Sequence, residues 1–131
     1  MSVSNIGNKI IIGIDLGDAK NGLALGHLAT KTAVGLKTVK TEMLKQELSA
    51  LIADNDVDCL VVGMPYNLSG DNTARTQRTA ELIEELKSWF NLKIITVDER
   101  WTTKQAKRNS SANDDRGAAI LIAQTYLDGL N

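Results

Sequence analysis

Residues Lys9–Leu25 read KIIIGIDLGDAKNGLAL, and this segment predicts a β-hairpin on which the rest of the architecture depends. Its apolar run, Ile10–Ile12, is typical of a strand that is buried on both faces. The turn-rich segment Gly17–Gly22 comes next, and a second short apolar segment, Leu23–Leu25, follows it. Two strands joined by a glycine-bearing turn are therefore expected, with Asp15 near the end of the first strand.

Asp15 is the one charged group that the pattern places in this apolar strand. A carboxylate there is expensive to bury unless it is paired or binds a metal ion. It caps the turn by accepting hydrogen bonds from nearby amides, or it belongs to a functional site. The hairpin alone favours neither interpretation, so the remainder of the chain has to decide.

Composition indicates an ordinary globular protein. The 131 residues are enough for one domain, 1–131, whose core buries roughly two-thirds of the unfolded surface. Hydrophobic residues make up 43% and charged residues 24%, and the net charge is −1. Without an overall basic field, any binding of nucleic acid must depend on a local patch.

The segments outside the hairpin predict a cytoplasmic location. Cys59, the one cysteine, lies in an apolar run and is expected to be a buried, inert thiol, so no disulfide can form within the chain. Met1–Asn8 is short and polar, and no apolar run approaches the roughly 20 residues that a membrane span needs. We therefore expect a cytoplasmic protein that makes no membrane contact.

Beyond the hairpin, strands and helices alternate along the chain. Apolar patterns predict strands at about Ala33–Val39, Asp58–Gly63 and Lys93–Val97. Helices are expected after a Thr41 cap as far as Asp54, at about Asn72–Phe90, after a Thr102 cap, and at about Asp114–Leu127. The fold class is therefore α/β, with a mixed five-stranded sheet flanked by helices.

The predicted topology brings two acids together. Right-handed crossovers through the two middle helices make the first, fourth and fifth strands parallel, with the fourth in the centre. Ligands of such sheets gather at the carboxyl ends of the strands. Asp15 lies near the end of the first strand and Glu99 just past the end of the fifth, so both carboxylates are expected to point into one cleft.

The start of the final helix offers a third acid. Acids in a first helical turn complement the helix dipole and cap free amides, and Asp114 keeps that interpretation. Asp115 precedes the alanine-rich face by about one turn and is the better candidate for the site. The apolar composition of Ala118–Ala123 predicts that this helix is buried all round.

Three carboxylates without a nearby histidine suit hard cations such as Mg²⁺ or Mn²⁺. Two such ions about 4 Å apart are a recurrent device for phosphodiester hydrolysis. Asp15, Glu99 and Asp115 are therefore candidate metal ligands and candidate catalytic residues.

Four motifs occur in order across almost the whole chain. They are Ile12–Gly17 (IGIDLG), Val62–Asn67 (VGMPYN) with Ser69 and Gly70, Val97–Thr103 (VDERWTT), and Asp115–Ala119 (DRGAA). Together they resemble the YqgF family, also called the RuvX-like Holliday junction resolvases. The resemblance implies a ribonuclease-H-like fold, an acidic triad at Asp15, Glu99 and Asp115, and a role in maturing the 5′ end of 16S ribosomal RNA.

Three positions depart from the family pattern. Lys20 stands where the family usually has arginine, which keeps the charge but loses the bidentate fork. Gly26-His27 replaces a Ser-Asp or similar pair after the second strand. Only Lys104–Asp114 remains of a longer basic segment before the last acid.

Basic and polar side chains near these motifs form a candidate nucleic-acid surface. Its members share a position beside the predicted acid cluster: Lys20, Asn67, Arg75, Arg78, Arg100, Lys104, Lys107 and Arg108. The alternative for the segment after Arg100 is a solvated helix face. The alternative for Arg75 and Arg78 is pairing with Glu81 or other surface acids.

Three functional classes follow from these observations. The first is a metal-dependent nuclease that acts on precursor 16S ribosomal RNA, with four-way DNA junctions as the alternative substrate. The second is a non-catalytic RNA-binding factor for ribosome assembly. The third, an actin-like nucleotide-binding protein, requires a second domain and a second Asp-x-Gly hairpin, which this sequence lacks. The expected partners are nucleic acid and ribosomal particles, and the protein is expected to be a monomer or a homodimer.

Overall fold

The computed structural model describes residues 8–65, 73–99 and 115–130, with residues 115 and 116 described by their backbone alone. Within these ranges, the strands are β1 (Lys9–Leu16), β2 (Lys20–His27), β3 (Thr32–Lys40), β4 (Asp56–Met64) and β5 (Lys93–Asp98). The helices are α1 (Leu44–Asp54), α2 (Ala74–Trp89) and α3 (Asp115–Asp128), and a 3₁₀ turn, Thr41–Met43, precedes α1.

The five strands form one mixed sheet in the order β3-β2-β1-β4-β5. β1, β2 and β3 are antiparallel neighbours, whereas β4 lies parallel to both β1 and β5. The predicted mixed sheet, with β4 between β1 and β5, is confirmed. The carboxyl ends of three parallel strands consequently meet at one edge of the sheet.

Each face of the sheet carries its own hydrophobic core. On one face, Leu44 and Leu48 of α1 and Ile83 and Leu86 of α2 pack on the buried side chains of β1 and β4. On the other face, α3 packs through its buried side chains, Ala119, Ile122, Ala123 and Leu127. Alternate residues of a strand point to opposite faces, which explains why β1 and β4 are apolar almost throughout.

α3 is buried on one side only. Ala118, Ile120 and Leu121 are half-exposed, whereas Ala119, Ile122 and Ala123 are fully buried. The prediction that this helix is buried all round was therefore wrong, because one sheet face covers only one side of a single helix. None of the described helices is long and apolar enough to cross a membrane.

The helix ends also differ from the sequence prediction. α2 begins after Thr73, whose hydroxyl accepts a hydrogen bond from the Thr76 amide, and not at Asn72. Thr41 does not cap α1, since residue 43 is the N-cap and makes no side-chain cap bond. The Thr41 hydroxyl instead accepts from the Asn21 amide group and donates to the Asp18 carbonyl, so it ties the hairpin turn to the end of β3. The predicted helix after Thr102 lies outside the described residues.

Glycine allows α3 to approach the sheet closely. A Cβ atom on Gly13 of β1 would lie 2.8 Å from both the Ala119 carbonyl oxygen and the Ala123 Cβ atom. A Cβ atom on Gly63 of β4 would lie 2.5 Å from the Ile122 Cδ1 atom. Both distances are too short for non-bonded atoms. Gly13 faces the backbone of α3, so glycine at this position sets the height of the helix above the sheet, whereas Gly63 faces the end of the Ile122 side chain.

Candidate active site

Asp15 lies near the carboxyl end of β1, on the face that α3 covers. Gly13, two residues earlier in the strand, faces Ala119 and Ala123 of α3, and a spacing of two residues returns to the same face. Asp15 is only 8% exposed. Its Oδ1 atom is 3.7 Å from the Nη2 atom of Arg75, an arginine in the first turn of α2. A cation beside this nearly buried carboxylate meets the requirement that a buried charge be paired.

Glu99 follows β5 directly and reaches back over β4. Its Cγ atom is 2.9 Å from the position that a Cβ atom on Gly63 would occupy, so the Glu99 side chain packs over the bare backbone of that glycine. Gly63 pairs with Val97 of β5 and comes one residue after Val62, which pairs with Ile14 of β1. Asp15 and Glu99 therefore lie on the same face of the sheet, on either side of the carboxyl end of β4.

The third predicted acid, Asp115, is the first residue of α3. It precedes Ala119 by one helical turn, and the Ala119 carbonyl oxygen lies over Gly13 of β1. α3 therefore begins at the edge of the sheet where Asp15 is found. The side chain of Asp115 lies outside the described residues, so its contacts are not part of this geometry.

The donor atoms of this edge suit a hard cation. Carboxylate oxygens are the ligands that Mg²⁺ and Mn²⁺ prefer, and Asp15 and Glu99 supply them from the ends of β1 and β5, which flank β4. Among the described side chains, no three histidine, cysteine, aspartate or glutamate residues form a metal-binding group. Asp15 and Glu99 therefore fit a site for Mg²⁺ or Mn²⁺. Such a site requires a further carboxylate, for which Asp115 is the candidate.

A buried asparagine fixes the turn beside Asp15. The Asn21 side chain is fully buried and accepts a hydrogen bond from the Gly17 amide. Its amide group donates to the Val39 carbonyl at 3.2 Å and to the Thr41 hydroxyl at 3.3 Å. Because every polar group of a buried amide is costly to leave without a partner, these bonds hold the β1–β2 turn against β3. Asn21 therefore joins the turn to β3 through three hydrogen bonds.

Two of the predicted nucleic-acid contacts are engaged with acids of the hairpin. The Arg75 guanidinium donates to the Leu16 carbonyl at 3.2 Å, in addition to its position beside Asp15. Arg78, one turn later, forms an ion pair with Asp18. The ion pairs of both arginines thus go to the hairpin and not to Glu81. A cavity of about 330 Å³ lies between α2 and the hairpin, with both arginines in its lining.

The other predicted contacts divide into two groups. Lys20, the first residue of β2, is exposed and lies on the Asp15 face, two residues before the Gly22 that pairs with Asp15. The remaining members lie outside the described residues: Asn67, Arg100, Lys104, Lys107 and Arg108.

Sequence reasoning missed several contributors to this edge. Gly63 interrupts the apolar strand β4, and an isolated glycine in a strand is a signal of close approach by another group. Asn21 gave a weaker signal, since a polar residue at the start of a strand is usually solvated. The cross-strand position of Lys40 depends on the β2–β3 register, which the sequence did not determine.

Known proteins are similar to this chain over almost its whole length. The family model described as "RuvX: Holliday junction resolvase" matches residues 9–129. A Bacillus subtilis (strain 168) protein is 33% identical over 136 residues, which cover 92% of this chain and 99% of the relative. A Thermoanaerobacter pseudethanolicus protein is 33% identical over 132 residues, with 90% and 95% covered. Both relatives carry the name "Putative pre-16S rRNA nuclease".

Solved structures share the fold at low sequence identity. RuvC of T. thermophilus in complex with a Holliday junction substrate has a TM-score of 0.61 at 13% identity, and the match covers 89% of this chain and 91% of that protein. A Fowlpox virus resolvase in complex with Holliday junction DNA has a TM-score of 0.55 at 12% identity, with 91% and 97% covered. The predicted ribonuclease-H-like fold class is thereby confirmed.

Proposed function

This chain belongs to the RuvX (Holliday junction resolvase) family, and we propose that it is a metal-dependent nuclease domain, spanning residues 1–131, that hydrolyses phosphodiester bonds in precursor 16S ribosomal RNA. The observation that carries the proposal is the convergence of Asp15 and Glu99 on one face of the sheet, at the strand ends where α3 begins.

Asp15, Glu99 and Asp115 are the proposed ligands and catalytic residues. Mg²⁺ or Mn²⁺ bound by these carboxylates would act as a Lewis acid at the scissile phosphate and lower the pKa of the attacking water. The protein itself orients the carboxylates. The packing of Glu99 over Gly63 and the hydrogen-bonded turn after Asp15 place the two described carboxylates on one face of the sheet, where they would hold the cation.

Phosphate binding is assigned to the basic side chains around this edge. The net charge of −1 requires a local patch, and Lys20 lies on the Asp15 face. Arg75 and Arg78 lie beside Asp15 and Asp18 of the hairpin. In the proposed complex, each arginine leaves its acid and binds phosphate oxygens instead. The proposed surface is completed by Asn67, Arg100, Lys104, Lys107 and Arg108.

Precursor ribosomal RNA is the proposed substrate because the curated relatives that cover nearly the full chain are named for it. Such a substrate implies a cytoplasmic protein that meets ribosomal particles. Four-way DNA junctions are the second candidate, since the family model is described as a Holliday junction resolvase and two solved structures with this fold are complexes of resolvases with junctions. A symmetric cut through a junction would require a homodimer.

The test uses two labelled substrates with the purified full chain. A precursor 16S RNA fragment and a four-way DNA junction are each incubated with Mg²⁺, with Mn²⁺ and with EDTA, and products are separated on denaturing gels. We expect metal-dependent cleavage of the RNA. Cleavage of the junction alone would establish the second candidate, whereas binding to either substrate without cleavage would establish a non-catalytic assembly factor.

A further inference from the structure

We propose that Lys20 and Lys40 together bind one backbone phosphate of a nucleic-acid strand that passes through the candidate active site. The inference rests on the proposed function and assigns a role to Lys40. Its basis is the position, exposure and pairing of these two lysines in the sheet.

The first step is their relative position. Lys20 of β2 and Lys40 of β3 are directly opposed in the antiparallel register. Directly opposed residues of such a ladder have Cα atoms about 5 Å apart, with both side chains on the same face. Both lysines are exposed. Two ammonium groups therefore project from neighbouring backbone positions toward the same region of solvent.

The second step is the relation of this pair to the acids. Gly22 of β2 pairs with Asp15 and is two residues from Lys20, so Lys20 shares the Asp15 face, and Lys40 shares it through the cross-strand pairing. Sheet dimensions put the Lys20 Cα atom about 8 Å from that of Asp15. A strand whose scissile phosphate lies at Asp15 would present a neighbouring phosphate to this lysine pair.

The third step is the charge balance. Like charges that face each other across a β-ladder destabilise the sheet. Within the described part of the chain, neither Lys20 nor Lys40 forms an ion pair, whereas Lys37 on β3 pairs with Glu47 at 2.9 Å. An anion between the two ammonium groups would remove their repulsion. A phosphodiester, with one charge and two free oxygens, matches such a pair of point donors.

Lys37 provides the matched control. It is three residues before Lys40 on the same strand, but its pairing partner, Leu23, belongs to the core on the opposite face. Lys37→Gln and Lys40→Gln therefore remove the same charge from opposite faces of one strand. Lys40→Arg restores the charge at the proposed position.

Binding of a fluorescent single-stranded RNA is measured by anisotropy across a salt series. All proteins carry Asp15→Asn, which prevents cleavage. We expect Lys40→Gln to weaken binding about fivefold at 0.1 M salt and to reduce the log–log salt slope by about 0.7. Lys37→Gln and Lys40→Arg should bind as the parent does. The melting temperature of Lys40→Gln without RNA should be equal to or higher than that of the parent, because repulsion is relieved.

Each other outcome has a defined meaning. Equal binding by Lys40→Gln and Lys37→Gln overturns the lysine-pair inference and leaves the proposed function intact. A lower melting temperature for Lys40→Gln would identify Lys40 as a structural residue and likewise overturns it. If the parent binds neither this RNA nor a four-way DNA junction, the proposed function itself fails.

Discussion

The Nη2 atom of Arg75 lies 3.7 Å from the Oδ1 atom of Asp15, across the carboxyl end of β1. The guanidinium brings a positive charge from α2, on one face of the sheet, to a carboxylate on the other face. We expect an arginine in this position to compete with a cation bound at Asp15, and to pair with a phosphate once Asp15 is occupied.

Replacement of Arg75 should separate metal binding from RNA binding. We expect Arg75→Gln to bind Mn²⁺ about two- to fivefold more tightly, the range typical of a partly exposed ion pair, and to bind RNA more weakly. Isothermal titration with Mn²⁺ and anisotropy with RNA measure the two effects. Arg78→Gln, which loses a pair with Asp18, is the control and should leave the Mn²⁺ affinity unchanged. Weaker Mn²⁺ binding by Arg75→Gln would show that the arginine supports the site rather than competing for it.

Asp15→Asn is nearly isosteric but removes a ligand charge. Loss of an outer-shell partner alone costs a metal site about 10–100-fold, so loss of a direct ligand should lower both cleavage and Mn²⁺ affinity by at least about 100-fold. Asp18→Asn, in the exposed turn three residues later, should retain activity. The melting temperature of Asp15→Asn should stay close to that of the parent. Early melting would instead assign Asp15 to turn capping.

Gly13→Ala tests the packing of α3 against the sheet. The added methyl group would lie 2.8 Å from the Ala119 carbonyl oxygen, and a backbone atom of a packed helix cannot rotate away. We expect a loss of about 1–3 kcal/mol in the free energy of unfolding, measured with urea. Gly129→Ala is the control. Its added Cβ atom would lie 3.5 Å from the nearest atom, which is an ordinary contact, so this substitution should change stability little.

Cys59 should behave as an inert thiol while the protein is folded. Burial, opposed by a hydrogen bond with Tyr126, raises the pKa of Cys59 above its ordinary value of 9.0. The raised pKa stabilises the fold fully below pH 9, and this contribution is lost as the pH rises through the higher folded pKa. Alkylation by iodoacetamide at pH 8 should therefore be slow in buffer and fast in urea. Equal rates in the two solutions would contradict burial of the thiol.

Much of this architecture was predictable from local pattern. The strand buried on both faces at Ile10–Ile12 and the helix that ends at Asp54 follow directly from the apolar pattern, and both predictions are confirmed. The role of Thr41 was not predictable, because a threonine before a helix is usually its cap, and only the tertiary position of Asn21 redirects its hydroxyl.

The candidate site was predictable only as a set of residues. Strand order was enough to bring Asp15 and Glu99 to one edge, since parallel strands share a carboxyl end. The proximity of Arg75 to Asp15 depends on how far the arginine side chain reaches. The pairing of Lys20 with Lys40 depends on the strand register. The local sequence specifies neither. The assignment of Asp115, and of the basic residues outside the described ranges, stays a prediction.

The glycine contacts of α3 have a consequence for how sequences of this kind can change over time. Because Gly13 brings α3 close to the sheet and Ala119 and Ala123 pack in the core, the start of the helix at residue 115 is positioned from the core side. We therefore expect insertions or deletions between Glu99 and Asp115 to alter the contacts with substrate and to leave the spacing of the acids constant. We expect segments of very different length grafted at 100–114 to leave Mn²⁺ affinity intact and to change the affinity for nucleic acid. The two properties would then be free to evolve separately.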